Sequence, residues 1–231
     1  MKGVELKFQL DYGQYIALKE RVSKIMKADR GGKYPVFSQY FDTEDSDFLH
    51  DKINGELYHL KIRMRKYSRD LSDDSIAFLE AKIKEDIWGM KHRVVYKDKK
   101  SLSPFFKSFI ASKPVEPTCN IFYEREAFEK IVDGNKLRLN FDTNLLFLDK
   151  EKTKITDKNR KNHLFVNYGL NFYALLEVKY TQEKLPEFIE NEISKLKIER
   201  TAFSKYGYGA CLLYTSPSPR DAHESRMPSS A

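Results

Sequence analysis

Residues 60–67 read Leu-Lys-Ile-Arg-Met-Arg-Lys-Tyr, so charged and apolar side chains alternate. Successive side chains of a β-strand point to opposite faces of the sheet, and this period of two therefore predicts a strand. Its cations Lys61, Arg63 and Arg65 would share one face, with apolar side chains on the other. A single strand of this kind is more typical of an ordinary sheet surface, so the interpretation depends on whether the pattern recurs.

The same alternation recurs in four other segments, at residues 4–8, 79–84, 137–142 and 176–179. On their polar faces, Glu and Asp stand among many Lys and Arg at matching phase. Strands with one apolar face usually bury that face and leave the other in water. For this sequence we predict an α+β fold in which a closed, mostly antiparallel β-barrel forms a tunnel. The charged faces would line the tunnel, and flanking helices would cover the apolar outside.

A tunnel lined by Lys and Arg is unfavourable unless it binds an anion, because buried charges need partners. The interspersed carboxylates indicate a divalent metal ion that also contacts the anion. A chain of phosphates with a metal ion meets both requirements. The net charge of +7 also favours an anionic partner, without identifying it.

Length and composition set further bounds. With 231 residues, the chain is expected to form one main domain with a proper core. No apolar run approaches the ~20 residues that span a membrane, and the N-terminus lacks the apolar core of a signal peptide. We therefore expect a cytoplasmic protein. The sequence contains no Gly-rich phosphate loop, no dinucleotide-binding fingerprint and no zinc-ligand spacing of cysteines.

Local patterns predict the remaining elements. Helices are expected at residues 11–28, 104–110 and 185–198, turns at 29–33 and 51–56, and a mobile loop at 150–162. Two strands are expected within residues 165–180. Residues 211–221 and 225–231 resemble a translated sequencing adapter, so we predict one domain over residues 1–210 and a disordered, artefactual tail over 211–231. A native disordered tail is the alternative.

Several short motifs, taken in order, resemble one known family. They are Glu5-x-Lys7-Phe8, Tyr40-Phe41-Asp42-Thr43, Lys61-x-Arg63-x-Arg65-x-Tyr67, Leu79-Glu80-x-Lys82, Lys91-x-Arg93, Tyr123-x-Arg125, Arg138-x-x-x-Asp142, Leu176-Glu177-x-Lys179-Tyr180 and Ser204-Lys205-Tyr206. Together they resemble the VTC domain, the polyphosphate polymerase domain of the vacuolar transporter chaperone complex and its bacterial relatives. That domain is one of the triphosphate tunnel metalloenzymes.

The resemblance implies a metal-dependent phosphotransferase that passes the γ-phosphoryl group of ATP to a growing polyphosphate chain. The implied cofactor is Mn²⁺ or Mg²⁺. The implied ligands of the triphosphate and polyphosphate are Lys7, Arg63, Arg65, Lys82, Lys91, Arg125, Arg138 and Lys179. The implied metal ligand is Glu177, supported by Glu5 and Glu80. The implied catalytic residues are Ser204 and Lys205, together with Arg63 and Arg65.

Other functions stay open at this point. A metal-dependent triphosphatase could use the same tunnel, with water in place of the acceptor phosphate. A third reading is a catalytically silent module that binds polyphosphate. Nucleic acid is not an expected partner, because no basic surface interleaved with aromatic residues is evident. Membrane partners and the oligomeric state are not predicted by the sequence.

Overall fold

The computed structural model describes residues 4–85, 88–98, 102–156, 170–182 and 184–215. Within these ranges the fold is α+β, with nine strands and five helices. In chain order they are β1 (Val4–Leu10), α1 (Tyr12–Ile25), β2 (Lys27–Asp42), α2 (Asp47–Ile53), β3 (Tyr58–Lys66), β4 (Ala77–Glu85), β5 (Trp88–Tyr96), α3 (Pro104–Ser112), β6 (Glu116–Val132), β7 (Asn135–Asp149), β8 (Ala174–Tyr180), α4 (Glu187–Lys195), β9 (Glu199–Arg200) and α5 (Lys205–Thr215).

The strands form one antiparallel sheet in the order β5-β4-β3-β2-β6-β7-β8-β1-β9. The five alternating segments of the sequence are β1, β3, β4, β7 and β8, which confirms that their period of two marks strands. The register of the strand ladders places charged side chains of neighbouring strands directly opposite each other. Lys7 lies opposite Glu177, and Arg63 lies between Tyr40 and Glu80.

The sheet curls so that distant strands approach each other. Nζ of Lys82 on β4 lies 3.0 Å from Oε2 of Glu5 on β1, although five strands separate β4 from β1 in the sheet. Backbone pairing nevertheless ends at β5 on one side and at β9 on the other among the described residues. The α+β class and the antiparallel sheet are therefore confirmed, whereas closure into a barrel is not.

Apolar side chains on the outer face of the sheet are covered by helices. Leu18 and Val22 of α1 and Ile189 of α4 pack with Phe8 and Leu176 of the sheet in one buried cluster. A second cluster packs α3 on the outer face of β3 and β4. Helix α5 instead packs on the inward face of β2, β6 and β7, in a cluster that includes the cavity-lining Tyr40 and Tyr123. Burying one Leu or Phe side chain contributes about 1.5–3 kcal/mol, so the contacts of α1, α3 and α4 favour charged faces turned inward.

Of two predicted turns, one is wrong and the other is shorter than expected. Residues 29–33 lie inside β2, where the ladder to β6 shifts register between Ala28 and Lys33. This β-bulge is accommodated by positive φ angles at Arg30, Gly31 and Gly32. In the other predicted turn, at residues 51–56, the first three residues belong to α2, while Asn54 and Gly55 form a turn, with φ of +72° at Gly55. The helix is capped by Asp42, which accepts hydrogen bonds from the N–H groups of Phe48 and Leu49.

Some predictions fall partly outside the described residues. Residues 165–169, expected to hold a strand, and residues 216–231 of the predicted tail lie outside them. Helix α5 runs to Thr215 and so continues past residue 210, while the domain boundary placed there stays a prediction. Within the described residues no helix is long and apolar enough to cross a membrane.

Candidate functional site

The inward faces of the sheet enclose a cavity of about 520 Å³. Every site residue expected from the sequence lines this cavity, and these residues come from seven strands, β1 and β3 to β8, and from the start of α5. The lining residues are Glu5, Lys7, Asp29, Arg30, Tyr34, Tyr40, Lys61, Arg63, Arg65, Tyr67, Glu80, Lys82, Lys91, Arg93, Tyr123, Arg125, Arg138, Asn140, Glu177, Lys179, Ser204, Lys205 and Tyr206.

Cations outnumber carboxylates in this lining, with twelve Lys or Arg side chains against four Asp or Glu. The lining therefore carries a large excess of positive over negative side chains. Low-dielectric walls concentrate such a field inside a cavity, and a highly charged anion is the complementary ligand.

Glu177 on β8 is buried among cations. Its Oε1 accepts a hydrogen bond from Nζ of Lys205 at 2.8 Å, and its Oε2 accepts one from Nη2 of Arg125 at 3.2 Å. Burial alone would raise the pKa of Glu177, but Lys205 and Arg125 outweigh burial and hold it well below its ordinary range. The side chain is therefore a fixed anion next to the first residue of α5.

Asp142 completes this network from β7 and was not among the expected site residues. Both of its oxygens accept hydrogen bonds from Arg125, at 2.6 and 2.7 Å, and Oδ2 also lies 2.6 Å from Nζ of Lys205. Burial would lower the pKa of Lys205, but Asp142 and Glu177 raise it above the usual value. The motif around Arg138 contained Asp142, yet only the ladder pairing of Asp142 with Arg125 reveals its partner.

Glu80 organises the cations of β3 and β5. Its Oε2 lies 2.7 Å from Nε of Arg63, and its Oε1 lies 2.7 Å from Nζ of Lys91. The Lys91 contact is an ion pair, but Oε1 still lacks a hydrogen bond of good geometry. Burial would raise the pKa of Glu80, but Arg63 and Arg65 lower it below the ordinary range. We infer that Glu80 aligns these cations.

Neutral hydroxyl groups also orient the two arginines of β3. Nη1 of Arg63 donates to the Tyr40 hydroxyl at 2.9 Å, while Arg65 donates to Ser38 at 3.2 Å and to Tyr123 at 3.1 Å. A hydroxyl fixes a guanidinium without neutralising it, so the charge remains available to a ligand. The sequence did not indicate these supporting roles, because the partners lie on β2 and β6.

The remaining expected phosphate ligands differ in the protein groups that they already contact. Arg138 is engaged by two acids, with Nη2 lying 2.6 Å from Oδ2 of Asp29 and Nη1 paired with Glu129. Lys7 donates to the backbone carbonyl oxygen of Phe203 at 3.0 Å. Arg138 is consequently partly neutralised, as Arg125 is by Asp142 and Glu177. The Asn140 partner of Arg138 keeps a buried Nδ2 without a hydrogen bond among the described residues.

A divalent cation would depend on Glu5 and Glu177, which project from neighbouring strands. Nζ of Lys179 lies 3.9 Å from a Glu5 oxygen and 3.8 Å from a Glu177 oxygen, so it bridges the two. Burial would raise the pKa of Glu5, but Lys179 and Lys82 lower it to about 2. Both carboxylates are therefore ionised, as a metal ligand must be.

These two carboxylates do not make a metal site by themselves. No group of three or more His, Cys, Asp and Glu side chains within the described ranges could hold a metal ion. Mg²⁺ and similar cations commonly bind through one or two carboxylates, phosphate oxygens and water. The donor set thus fits a divalent cation that arrives with a phosphate ligand. Glu80 lies on β4, which does not neighbour β1 or β8 in the described sheet, so it is not a member of this pair.

Lys61 on β3 is a cavity residue that was not expected as a ligand. It also borders an adjoining cavity of about 290 Å³, and its Nζ donates to Oγ of Ser204 at 3.1 Å. Burial and the neighbouring cations Lys7 and Lys82 lower the pKa of Lys61 to about 7. The free cavity therefore holds a lysine that changes charge near neutral pH.

Anion binding should make Lys61 take up a proton. Above about pH 7 this lysine is mostly neutral in the free protein, and a bound phosphate favours its charged form, so affinity for tripolyphosphate should fall as pH rises. Calorimetric titrations in buffers of different ionisation enthalpy would measure the uptake. Lys61→Arg, which stays charged, should remove most of this dependence, and an unchanged pH slope in that variant would refute the assignment.

Comparison with known proteins was made for sequence and for structure. The family model of the VTC domain matches residues 3–106 and 96–214. A search of curated protein sequences finds no significant match. A proposed adenylate cyclase from Bacillus halodurans is 12% identical, with a TM-score of 0.51, and the alignment covers 88% of this chain and 96% of that one. This likeness shows the fold alone.

Two further solved structures align over most of their length at TM-scores below 0.5. A Pyrococcus horikoshii protein is 15% identical, with a TM-score of 0.49 over 93% of this chain and 99% of that one. The Mimivirus capping enzyme triphosphatase is 10% identical, with a TM-score of 0.42 over 84% of this chain and 87% of that one.

Proposed function

The chain belongs to the VTC domain family, and from this membership we propose that it is a metal-dependent polyphosphate polymerase. In the proposed reaction, a terminal oxygen of a polyphosphate chain attacks the γ-phosphorus of ATP. The bond from that phosphorus to the β–γ bridging oxygen breaks, ADP leaves, and the chain grows by one phosphate. No proton needs to be transferred in this exchange.

One observation carries the proposal. The site residues expected from the sequence, which come from seven strands and the start of α5, all line a single cavity with a large excess of cations. Phosphoryl transfer requires alignment and charge stabilisation more than covalent chemistry from the protein. A preorganised cationic cavity supplies both, because its donors are already oriented before the substrate arrives.

Each group of side chains has a definite task in this proposal. Arg63 and Arg65 present fork-shaped donors that match phosphate oxygens, while Lys82 and Lys91 act as point charges. Lys205, held by Glu177, is a fixed cation beside Ser204 and would draw the acceptor end of the chain towards the γ-phosphate. When bound, Mn²⁺ or Mg²⁺ held by Glu177, Glu5 and phosphate oxygens would neutralise developing charge on the transferred group.

Hydrolysis by the same cavity is the alternative. Water must lose a proton when it attacks, whereas a terminal phosphate is already anionic. The four carboxylates of the lining all have lowered pKa values, although burial would raise them; they are Glu5, Glu80, Glu177 and Asp29. The cause is the cations that face them, which include Lys179, Arg63, Lys205 and Arg138. These carboxylates are therefore weak bases. This favours the polymerase.

Incubation of the purified protein with ATP and Mn²⁺ or Mg²⁺ tests the proposal. Long-chain product on a polyphosphate gel supports the polymerase. Free phosphate without chains would support a triphosphatase instead. If neither forms while polyphosphate still binds, the domain is a silent binding module. Two further parts of the proposal are predictions: that the protein is located in the cytoplasm and that the strands close fully into a tunnel.

The double variant Arg63→Gln, Arg65→Gln should bind ATP far more weakly. A hydrogen bond to a charged group is worth about 1.5–3 kcal/mol, so losing both guanidinium groups should raise KM for ATP at least roughly 100-fold. Steady-state kinetics with chain product as readout would measure this. Arg69→Gln is the matched control, because Arg69 is exposed and outside the cavity lining. An unaltered KM in the double variant would exclude a phosphate-binding role.

A further inference from the structure

One end of the cavity carries aromatic rings as well as cations. We call Arg30, Tyr34, Tyr67, Phe78 and Arg93 the aromatic mouth. Tyr34 follows the β2 bulge, Tyr67 follows the last residue of β3, and Phe78 lies on β4. The Tyr67 ring contacts the other two rings edge to face, with centroids 5.8 Å from Tyr34 and 5.9 Å from Phe78. Tyr67 is thus held rigidly in the cavity wall.

Two guanidinium groups lie over these rings. Cζ of Arg30 is 4.2 Å from the ring centroid of Tyr67 and 5.5 Å from that of Tyr34. Cζ of Arg93 is 3.8 Å from the centroid of Phe78, and its Nη2 donates to the Tyr67 hydroxyl at 3.3 Å. Planar rings and planar cations stacked in this way form a surface that suits another flat π system.

The backbone places Arg30 there at a conformational cost. Arg30 has φ of +52°, and the next two glycines have φ of +70° and +135°. A left-handed arginine is uncommon and persists only where the surroundings favour it. Here the two tyrosine rings receive its side chain, so the bulge presents an exposed guanidinium at the cavity entrance.

The opposite end of β3 has different chemistry. Among the described residues, the lining of the adjoining cavity there includes Lys52, Lys84 and Arg200 and contains no Phe, Tyr or Trp. At about 3.3 Å per residue, His59 at that end lies roughly 26 Å along the chain from Tyr67. The two ends of the cavity therefore differ, with an aromatic mouth at one end and a mainly cationic mouth, which also includes Glu5, at the other.

Strand spacing connects the aromatic mouth to the phosphate ligands. Along β3, the inward side chains of Arg65 and Arg63 follow Tyr67 at roughly 7 and 13 Å. A nucleotide whose base stacks at Tyr67 would lay its phosphates along these arginines. Its γ-phosphate would then point towards Lys61, which donates to Ser204.

We propose that the aromatic mouth is a subsite for the base of a nucleoside triphosphate. This inference deepens the proposed function and rests on it for the position of the phosphates. Stacking uses the π face that every base has, so the subsite should accept purine nucleotides with little discrimination. It also sets direction, because a donor whose base stacks at this mouth has its phosphates along Arg65 and Arg63.

Paired titrations with ATP and with tripolyphosphate, which has no base, test the subsite. Base stacking on aromatic side chains is worth about 1–3 kcal/mol per base, so Tyr67→Leu and Arg30→Ala should weaken ATP binding roughly 5- to 100-fold. Tyr67→Leu removes no charge and should bind tripolyphosphate within about twofold of the unaltered protein. Arg30→Ala also removes a cation of the cavity and should weaken ATP binding more than tripolyphosphate binding. Tyr67→Phe keeps the ring and should retain ATP affinity, which controls for folding. Tyr58→Leu, at an exposed tyrosine outside the cavity, should change neither affinity.

The two proposals fail in different ways. Equal weakening of both ligands, or no weakening of either, would overturn the base subsite while leaving the phosphate cavity intact. If the unaltered protein binds neither ATP nor tripolyphosphate, the proposed function fails and the subsite fails with it.

Discussion

Glu177→Gln is expected to lower metal-dependent turnover about 100- to 1,000-fold, the loss typical of removing one electrostatic contact in a transition state. The amide has nearly the same shape, so packing around β8 is retained. What disappears is the negative charge that Lys205 and Arg125 engage and that a divalent cation requires. Turnover measured across a range of Mn²⁺ concentrations is the relevant readout.

The metal dependence distinguishes two roles for Glu177. If it is a metal ligand, the variant should need a higher Mn²⁺ concentration and recover part of its activity there. If it acts by positioning Lys205, excess metal should not restore the turnover of the variant. Asp142→Asn should then cause a similar loss of turnover, because Oδ2 of Asp142 also lies 2.6 Å from Nζ of Lys205. Glu192→Gln on α4, outside the cavity, is the matched control. Turnover and metal dependence like those of the unaltered protein would reject both roles.

Asp42→Ala is expected to destabilise the fold by roughly 3–5 kcal/mol, since one fully buried carboxylate satisfies four donors. Its Oδ1 accepts from the backbone N–H groups of Thr43 and Phe48, at 2.8 and 2.9 Å. Its Oδ2 accepts from Leu49 N–H at 3.0 Å and from the Tyr206 hydroxyl. The substitution would leave these donors unpaired and remove the cap of α2.

Thermal unfolding would measure this effect. For a chain of this size, each kcal/mol corresponds to about 2–4 °C in Tm, so a decrease of roughly 10 °C is expected. Tyr206→Phe removes one of the four bonds and should cost about 1–2 kcal/mol. Asp45→Ala, at an exposed position in the same loop, should leave Tm nearly unchanged. A Tm for Asp42→Ala equal to that of Asp45→Ala would contradict this account.

Asp42 also links stability to the site. Burial and the hydrogen bond to Asp42 raise the pKa of Tyr206 above its usual value, so this phenol stays protonated and continues to donate. Because Tyr206 follows Lys205 in α5, the bond fastens the first turn of α5 to the end of β2. Loss of Asp42 should therefore reduce turnover in the surviving folded protein as well.

The sequence by itself determined which side chains point into the cavity. Alternation with a period of two is a local property of an extended backbone, and burying the apolar face fixes the direction of the other face. Lys7, Arg63, Lys82 and Glu177 could therefore be placed on inward faces before their strands were paired. The family motifs then indicated phosphate and metal as ligands of these faces.

Only the tertiary structure decided which groups meet. The pairing of Asp142 with Arg125, the hydrogen bond from the Tyr206 hydroxyl to Asp42 and the stacking of Arg30 on Tyr67 join residues that lie far apart in the chain. Such contacts depend on strand register, on the bulge in β2 and on the curl of the sheet. These features arise from the packing of the whole domain, so no window of the sequence contains them.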